Sequence, residues 1–204
     1  MGHTMQTESM AKPRVMGVIG SLHEQAVTRV VVSEVMEKLR AAGCDVDVLD
    51  LAAEPLPLLN TDTSFASPAF AALRERVLLA DVFVLGTPDY HGSISGAMKN
   101  FLDHFWHEFA GKLFASVVAS HEKGLTVHDQ IRTVARQCQA WALPYGVSFM
   151  EKTDVADGRI VSADLEKRLE ILARDARVYG GLLARQRAAD LSGTDAGFLA
   201  RLRK

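Results

Sequence analysis

Apolar and polar positions along the chain fall into short apolar runs separated by longer segments of helical period. Val15-Met16-Gly17-Val18-Ile19, inside Arg14–Gly20, is apolar without alternation and ends in Gly20-Ser21, the pattern of a strand covered on both faces. The period then changes. Val32, Val35, Met36 and Leu39 recur at helical spacing up to Ala42, and Gly43 stands where a left-handed residue ends a helix. A second strand is expected at Val46–Leu49. A connection rich in Pro and polar residues runs from Glu54 to Ser67, and a helix over Pro68–Leu79 opens with a proline that its first turn tolerates. Asp81–Gly86 reads as the third strand, Thr87–Ser95 as a loop, and Gly96–Phe109 as a helix burying Ala97, Phe101 and Phe105. Leu113–Ala119 is the fourth strand, followed by a helix from about Val127 to Trp141 and a short strand near Gly146–Phe149. Leu165, Leu169, Leu172, Ala176, Tyr179 and Leu183 mark a long amphipathic C-terminal helix.

Strands alternating with helices at this spacing imply the α/β doubly wound class, a parallel sheet with helices on both faces. Residues 13–189 are expected to form that domain, with 1–12 a disordered leader and 190–204 a tail or short helix. In the tail, Phe198, Leu199 and Leu202 are placed to pack against the body or a partner.

Composition narrows the function classes. A chain of 204 residues with 48% hydrophobic and 24% charged residues is an ordinary globular domain with a sizeable core. Its 23 basic and 25 acidic residues leave a formal charge of −2, which argues against a nucleic-acid partner. No apolar run approaches the roughly 20 residues that span a bilayer, so no membrane partner is expected. Cys44 and Cys138 lie far apart and outside any CxxC or Cys/His spacing, which points away from a zinc or redox site and towards a reducing, cytoplasmic setting.

In an open parallel sheet, ligands bind beyond the carboxyl ends of the strands, so the loops Gly20–Thr28, Thr87–Ser95 and Ser120–Thr126 are the places to look. The first joins a strand to a helix N-terminus and carries hydroxyls at Ser21 and Thr28, a setting suited to a phosphate. It has neither GxGxxG nor GxxxxGK[ST], and the alternative is that Ser21 and Thr28 only cap the helix. The second combines Pro88, Tyr90, His91 and small residues, a surface that a flat heteroaromatic ring can approach. Against that, Ser95 reads equally well as a plain helix cap and Tyr90 as the filling of a surface groove. His104 and His107, with Asp103 and Glu108 beside them, share a helix face, but packing near Phe101, Phe105 and Trp106 is the favoured role, and no metal ligand is nominated. The aromatic stretch Phe105–Phe109 points to a subunit contact.

Gly20-Ser21-Leu22, together with the run from Thr87-Pro88-Asp89-Tyr90-His91-Gly92-Ser93 to Asn100-Phe101-Leu102-Asp103, resembles the NADPH-dependent FMN reductase family of flavodoxin-like proteins, from about Val15 to Phe149. The resemblance implies a five-stranded flavodoxin-like sheet in the order 2-1-3-4-5, bound FMN, NADPH (or NADH) as electron donor, and a homodimer or dimer of dimers. It places Ser21, His23 and Thr28 around the FMN phosphate. Pro88, Asp89, Tyr90, His91, Gly92 and Ser93 fall along the flavin ring, with Ser120 beside it. The sequence departs from the family at His23, where Arg is common, at Ala26, at Thr28, at Asp89, where Glu is usual, and in the loop Ser120-His121-Glu122-Lys123-Gly124. The implied activity is hydride transfer from NADPH to FMN and on to a small-molecule acceptor such as a flavin, quinone, azo compound or chromate. The flavin carries the chemistry, so no catalytic side chain is nominated. A flavodoxin-type electron carrier is the alternative, although such carriers are strongly acidic and this chain is balanced. A receiver-type regulatory domain needs acidic residues where Gly20 and Ser21 stand.

Overall fold

The computed structural model describes residues 12–203, so the first eleven positions of the expected leader lie outside it. The elements run β1 (Arg14–Ile19), α1 (Val27–Ala41), β2 (Asp45–Asp50), α2 (Pro68–Leu79), β3 (Val82–Tyr90), β4 (Ser93–Ile94) and α3 (Gly96–Asp103). They continue with β5 (Leu113–Ala119), α4 (Leu125–Gln137), β6 (Trp141–Ala142), β7 (Val147–Phe149), β8 (Val155–Ala156), β9 (Arg159–Ile160) and α5 (Ala163–Ser192). The sheet runs β2-β1-β3-β5, all parallel, with β6 and β7 one after the other along the far edge of β5. This is the expected 2-1-3-4-5 order, because β4 is only a hairpin arm on β3 and the fifth strand comes in two pieces.

Each central strand sends alternate side chains into two separate cores. On one face Val15, Ile19, Val82 and Val84 meet Val32, Val35 and Leu39 of α1 and Leu165, Leu169 and Leu172 of α5. On the other, Met16, Val18, Phe83 and Leu85 meet Leu73 and Val77 of α2, Met98 and Phe101 of α3, and Ile131 of α4. Leu199 of the tail is buried, and Phe198 lies edge-on to Trp141 with centroids 6.5 Å apart.

Four segments differ from the sequence expectation. The stretch Thr87–Ser95 is not a plain loop: β3 continues through it and folds back on β4, pairing Asp89 with Ile94 and Tyr90 with Ser93. The two-residue turn that allows this needs positive φ at both positions, and His91 (59°) and Gly92 (75°) adopt it. The helix expected to reach Phe109 stops at Asp103, with a single 3-10 turn at His107–Phe109. Its aromatic residues still share one core, Phe101 to Phe105 at 5.4 Å and Phe105 to Phe109 at 5.7 Å. The next helix ends at Gln137, because Trp141 pairs with Leu113 in the sheet. The hairpin β8–β9 turns on Asp157-Gly158, a dipeptide that favours such turns, at φ 48° and 70°.

At the amino end of β5, away from the candidate loops, Lys112 is fully buried and its Nζ donates to the carbonyls of Val77 (2.7 Å) and Leu78 (2.8 Å), which end α2. Two donors suffice for these bonds, so a neutral amine serves as well as an ammonium. Burial pushes this lysine down to about 7, with Arg187 adding to the shift. The unfolded chain therefore binds the proton more tightly than the folded one between about pH 7 and the ordinary lysine value near 10.4, and stability rises with pH across that window. The difference in unfolding free energy between the wild type and Lys112→Met is expected to change between pH 7 and 9, with the wild type gaining; parallel pH profiles would contradict a deprotonating Lys112.

Candidate functional site

The carboxyl ends of β1 and β3 are adjacent, and the chain leaves them in different directions, which opens a crevice between the two loops. Ser95 builds its floor. Its N–H donates to Thr87 Oγ1 at 3.0 Å, its hydroxyl donates to the Gly20 carbonyl, and the same oxygen accepts from Met98 N at 3.0 Å. The expected cap of α3 is therefore real, but the residue also joins the first loop to the third-strand segment. Gly20 N–H donates to the Gly86 carbonyl at 2.7 Å, closing the junction. At Gly86 a Cβ would stand 2.2 Å from Val32, so glycine is what lets α1 lie this close to β3.

Above the floor is a cavity of about 310 Å³. One wall is the first loop. Ser21 is buried, and its oxygen accepts from His23 N–H at 3.4 Å, which leaves its proton for a ligand oxygen. His23 Nδ1 accepts from Gln25 N–H at 3.1 Å, holding the imidazole over the loop. The residue preceding α1 is Ala26, so the helix has no side-chain cap and no acidic residue in its first turn. Neither Ser21 nor Thr28 caps it, which removes that alternative. The first N–H groups of α1 and the positive end of its dipole thus face the cavity with Ser21 and Thr28 beside them, a fit for a phosphate. Arg29 keeps the loop in place: its guanidinium holds Asp50 through Nε (2.6 Å) and Nη2 (3.2 Å) and reaches the His23 carbonyl through Nη1 at 3.3 Å. Burial alone would raise the Asp50 carboxyl, but the hydrogen bonds from Arg29 and the Ala52 N–H outweigh it and hold the group below its usual range.

The opposite wall is Pro88, Asp89 and Tyr90, with Ala119, Ser120 and His121 at the end. Asp89 braces it. One carboxylate oxygen accepts from Gly92 N–H at 2.7 Å and the other from Ser120 Oγ at 2.9 Å, tying the β3–β4 turn to the loop after β5. Gln130 of α4 holds the hairpin from behind, its Oε1 accepting from Ser93 Oγ (3.0 Å) and Ile94 N (3.1 Å). Tyr90, 54% exposed, is left at the rim with its ring available for stacking. The cavity thus has phosphate donors at one end and a flat, braced wall at the other, the polarity that a flavin mononucleotide requires.

Seven of the expected site residues, Ser21, His23, Thr28, Pro88, Asp89, Tyr90 and Ser120, line this cavity together. His91 and Gly92 line an adjoining groove that shares Asp89, Ser120 and His121 with it. Ser93 lines neither, its hydroxyl being given to Gln130. Sequence reasoning did not nominate Gln25 as a wall residue, although it falls within the first loop. Nor did it find Gln130 and Glu151, which carry no local signal and are placed by α4 and by the segment after β7. His104 does not face the cavity; it is buried, with Nδ1 2.7 Å from the Asn100 carbonyl.

Behind the groove sits His128, buried between Ser116 Oγ (2.7 Å, at Nδ1) and Ser148 Oγ (3.0 Å, at Nε2). Ser148 donates its own proton to the Lys123 carbonyl, so Nε2 must be the donating nitrogen and Nδ1 the acceptor from Ser116. Burial, and then Arg132, push this imidazole below its ordinary value, consistent with that neutral form. The result is a strut from the middle of β5 to the loop that borders the cavity.

The profile of the NADPH-dependent FMN reductase family matches residues 13–154. An FMN-dependent NADPH-azoreductase of Staphylococcus haemolyticus (strain JCSC1435) is 37% identical over 94 residues, which are 43% of this chain and 49% of that protein. The Staphylococcus aureus (strain USA300) enzyme of the same name is 35% identical over the same shares. The chain thus spans about half the length of the curated relatives it matches. Among solved structures, the apo form of an NADH:FMN oxidoreductase (EMOB) superposes with a TM-score of 0.66 at 18% identity, covering 82% of this chain and 89% of that one. The FerB NAD(P)H:acceptor oxidoreductase of Paracoccus denitrificans gives 0.65 at 18%, over 85% and 98%. A flavodoxin of Streptococcus pneumoniae gives 0.55 at 19%, over 85% and 99%; at these identities all three establish the fold alone.

Ser95→Ala removes a cap and a buried bond at once, and is expected to lower the unfolding free energy by about 1–3 kcal/mol in urea titrations. A loss below about 0.5 kcal/mol, the scale of an ordinary surface change, would contradict the junction described.

Proposed function

We propose that this chain, which belongs to the NADPH-dependent FMN reductase family, binds FMN in the cavity between its first and third loops and uses it to move electrons from NADPH to a small-molecule acceptor. The observation that carries the reading is the uncapped start of α1, with Ser21 and Thr28 beside it, opposite the braced wall of Pro88, Asp89 and Tyr90. When bound, FMN supplies the redox chemistry, accepting hydride from a reduced nicotinamide and passing electrons on. The protein binds the phosphate at α1, holds the ring against the β3–β4 hairpin through Asp89 and Gln130, and leaves the rim beside Tyr90 open to a second ring. NADPH is the donor, as the family's description has it, and an azo compound is the acceptor class to which the staphylococcal relatives' names point.

The net charge of −2 favours the enzyme over a carrier served by protein partners, which relies on a strong field for steering. Two buried, unpaired cysteines fit a reducing cytoplasm. A homodimer or dimer of dimers is the assembly, with Trp106, 61% exposed beside buried Phe105 and Phe109, at the contact. Sedimentation of the FMN-loaded protein as a monomer at all concentrations would exclude it.

Protein supplied with FMN and desalted is expected to keep its flavin absorbance and to bleach within seconds on anaerobic NADPH, recovering when an azo dye is added. Retained flavin that neither NADPH nor NADH reduces would replace the enzyme by the carrier reading.

A further inference from the structure

Arg14, Arg29, Lys99 and Lys123 are among the basic residues of the sequence that could hold the extra phosphate that distinguishes NADPH from NADH. The fold disposes of three. Arg14 opens β1 at the amino end of the sheet, away from the cavity, with its Nε 3.4 Å from Asp45. Arg29 is committed to Asp50 and to the first loop's carbonyls. Lys99 holds both oxygens of Asp103 at 2.6 and 2.7 Å.

Lys123 lines the groove that leads out of the cavity past Ser120 and His121, and among the described residues its ammonium has no carboxylate within 4.0 Å. The groove brings in a second cation that carries no local signal in the sequence. Arg168 of α5 lines it too, its Nη1 donating to the Ser148 carbonyl at 2.7 Å and its Nε to Asp164 at 2.8 Å, which leaves Nη2 unused. Ser148 ties the two residues to one place in the fold: its hydroxyl donates to the main-chain carbonyl of Lys123, and its own carbonyl accepts from the guanidinium of Arg168. His128 fixes that hydroxyl in turn. An ammonium without a carboxylate partner and a guanidinium pinned at Ser148 line the same groove, a pair from which a phosphate dianion can take charge-assisted bonds. The groove's carboxylates are mostly engaged, Asp89 with Gly92 and Ser120 and Asp154 with the Met150 N–H, while Glu122 remains beside Lys123 as a competitor.

We propose that Lys123 and Arg168 recognise the 2′-phosphate of NADPH, with the nucleotide running along this groove from the flavin wall to the mouth at Ser148. The inference rests on the function proposed above, but it can be tested without turnover. Calorimetric titration of FMN-loaded protein with 2′,5′-ADP and with 5′-ADP should show the former binding at least about tenfold tighter. Lys123→Ala, an exposed position with no structural bond from its side chain, should bring that ratio close to one with 5′-ADP unchanged. Glu122→Gln should raise the ratio. Equal binding of the two ligands by the wild type overturns the proposal. So does an unchanged ratio in Lys123→Ala, and so does equal weakening of both ligands, which would assign the mouth to the 5′-phosphate instead. If the protein keeps FMN and NADPH bleaches it while the ratio ignores Lys123, only this assignment fails. If the flavin is not retained, the function reading fails, and the same titration of the flavin-free protein, wild type against Lys123→Ala, tests the groove by the same ratio.

Discussion

The site depends on one buried serine. Ser95 takes part in three hydrogen bonds that join the end of β1, the β3 segment at Thr87 and the start of α3, and both Ser95 and Thr87 are buried. Two loops that are remote in sequence are thereby held at a set separation. That separation, more than any single wall residue, decides that a cavity exists there at all. Loops of this length are ordinarily mobile; these are anchored at their bases by polar groups that are buried and satisfied.

Further braces extend that junction outward. Arg29 fastens the first loop to Asp50 at the end of β2, Asp89 fastens the hairpin to Ser120, and His128 fastens the following loop through Ser148. These groups present no reactive chemistry of their own. They position donors, as suits the proposed function, in which a bound cofactor supplies the reaction and the protein contributes binding, orientation and electrostatics. Leaving α1 uncapped has a cost in helix stability, and a ligand phosphate can offset it by satisfying the same N–H groups.

Much of this was legible in the sequence because it follows from local rules. The apolar runs at Val15–Ile19 and Asp81–Gly86 gave the central strands, helical spacing gave α1 and α5, and the rule about carboxyl ends of parallel strands gave the loops. The motif from Pro88 onward gave the family, which the profile match bears out. What stayed hidden was set by tertiary pairing. The β3–β4 hairpin turns on His91-Gly92, where a histidine takes a conformation more usual for Asn or Gly. Trp141 reads as the last turn of a helix until Leu113 is found beside it. Gln130 braces the hairpin and Arg168 lines the groove from helices distant in sequence, and nothing in their neighbours announces it.

The central claim is that the first loop and the uncapped start of α1 form a phosphate site at one end of a flavin cavity. The most direct measurement is the ratio of dissociation constants for riboflavin and FMN, by fluorescence titration of the flavin-free protein, in the wild type and in Ser21→Ala combined with Thr28→Val. The two flavins differ only in the phosphate. The account predicts that FMN binds the wild type about 100-fold or more tightly than riboflavin, since two or three charge-assisted bonds are at stake, and that the double variant loses most of this ratio while riboflavin binding is unchanged. Equal affinity for the two flavins in the wild type would contradict it.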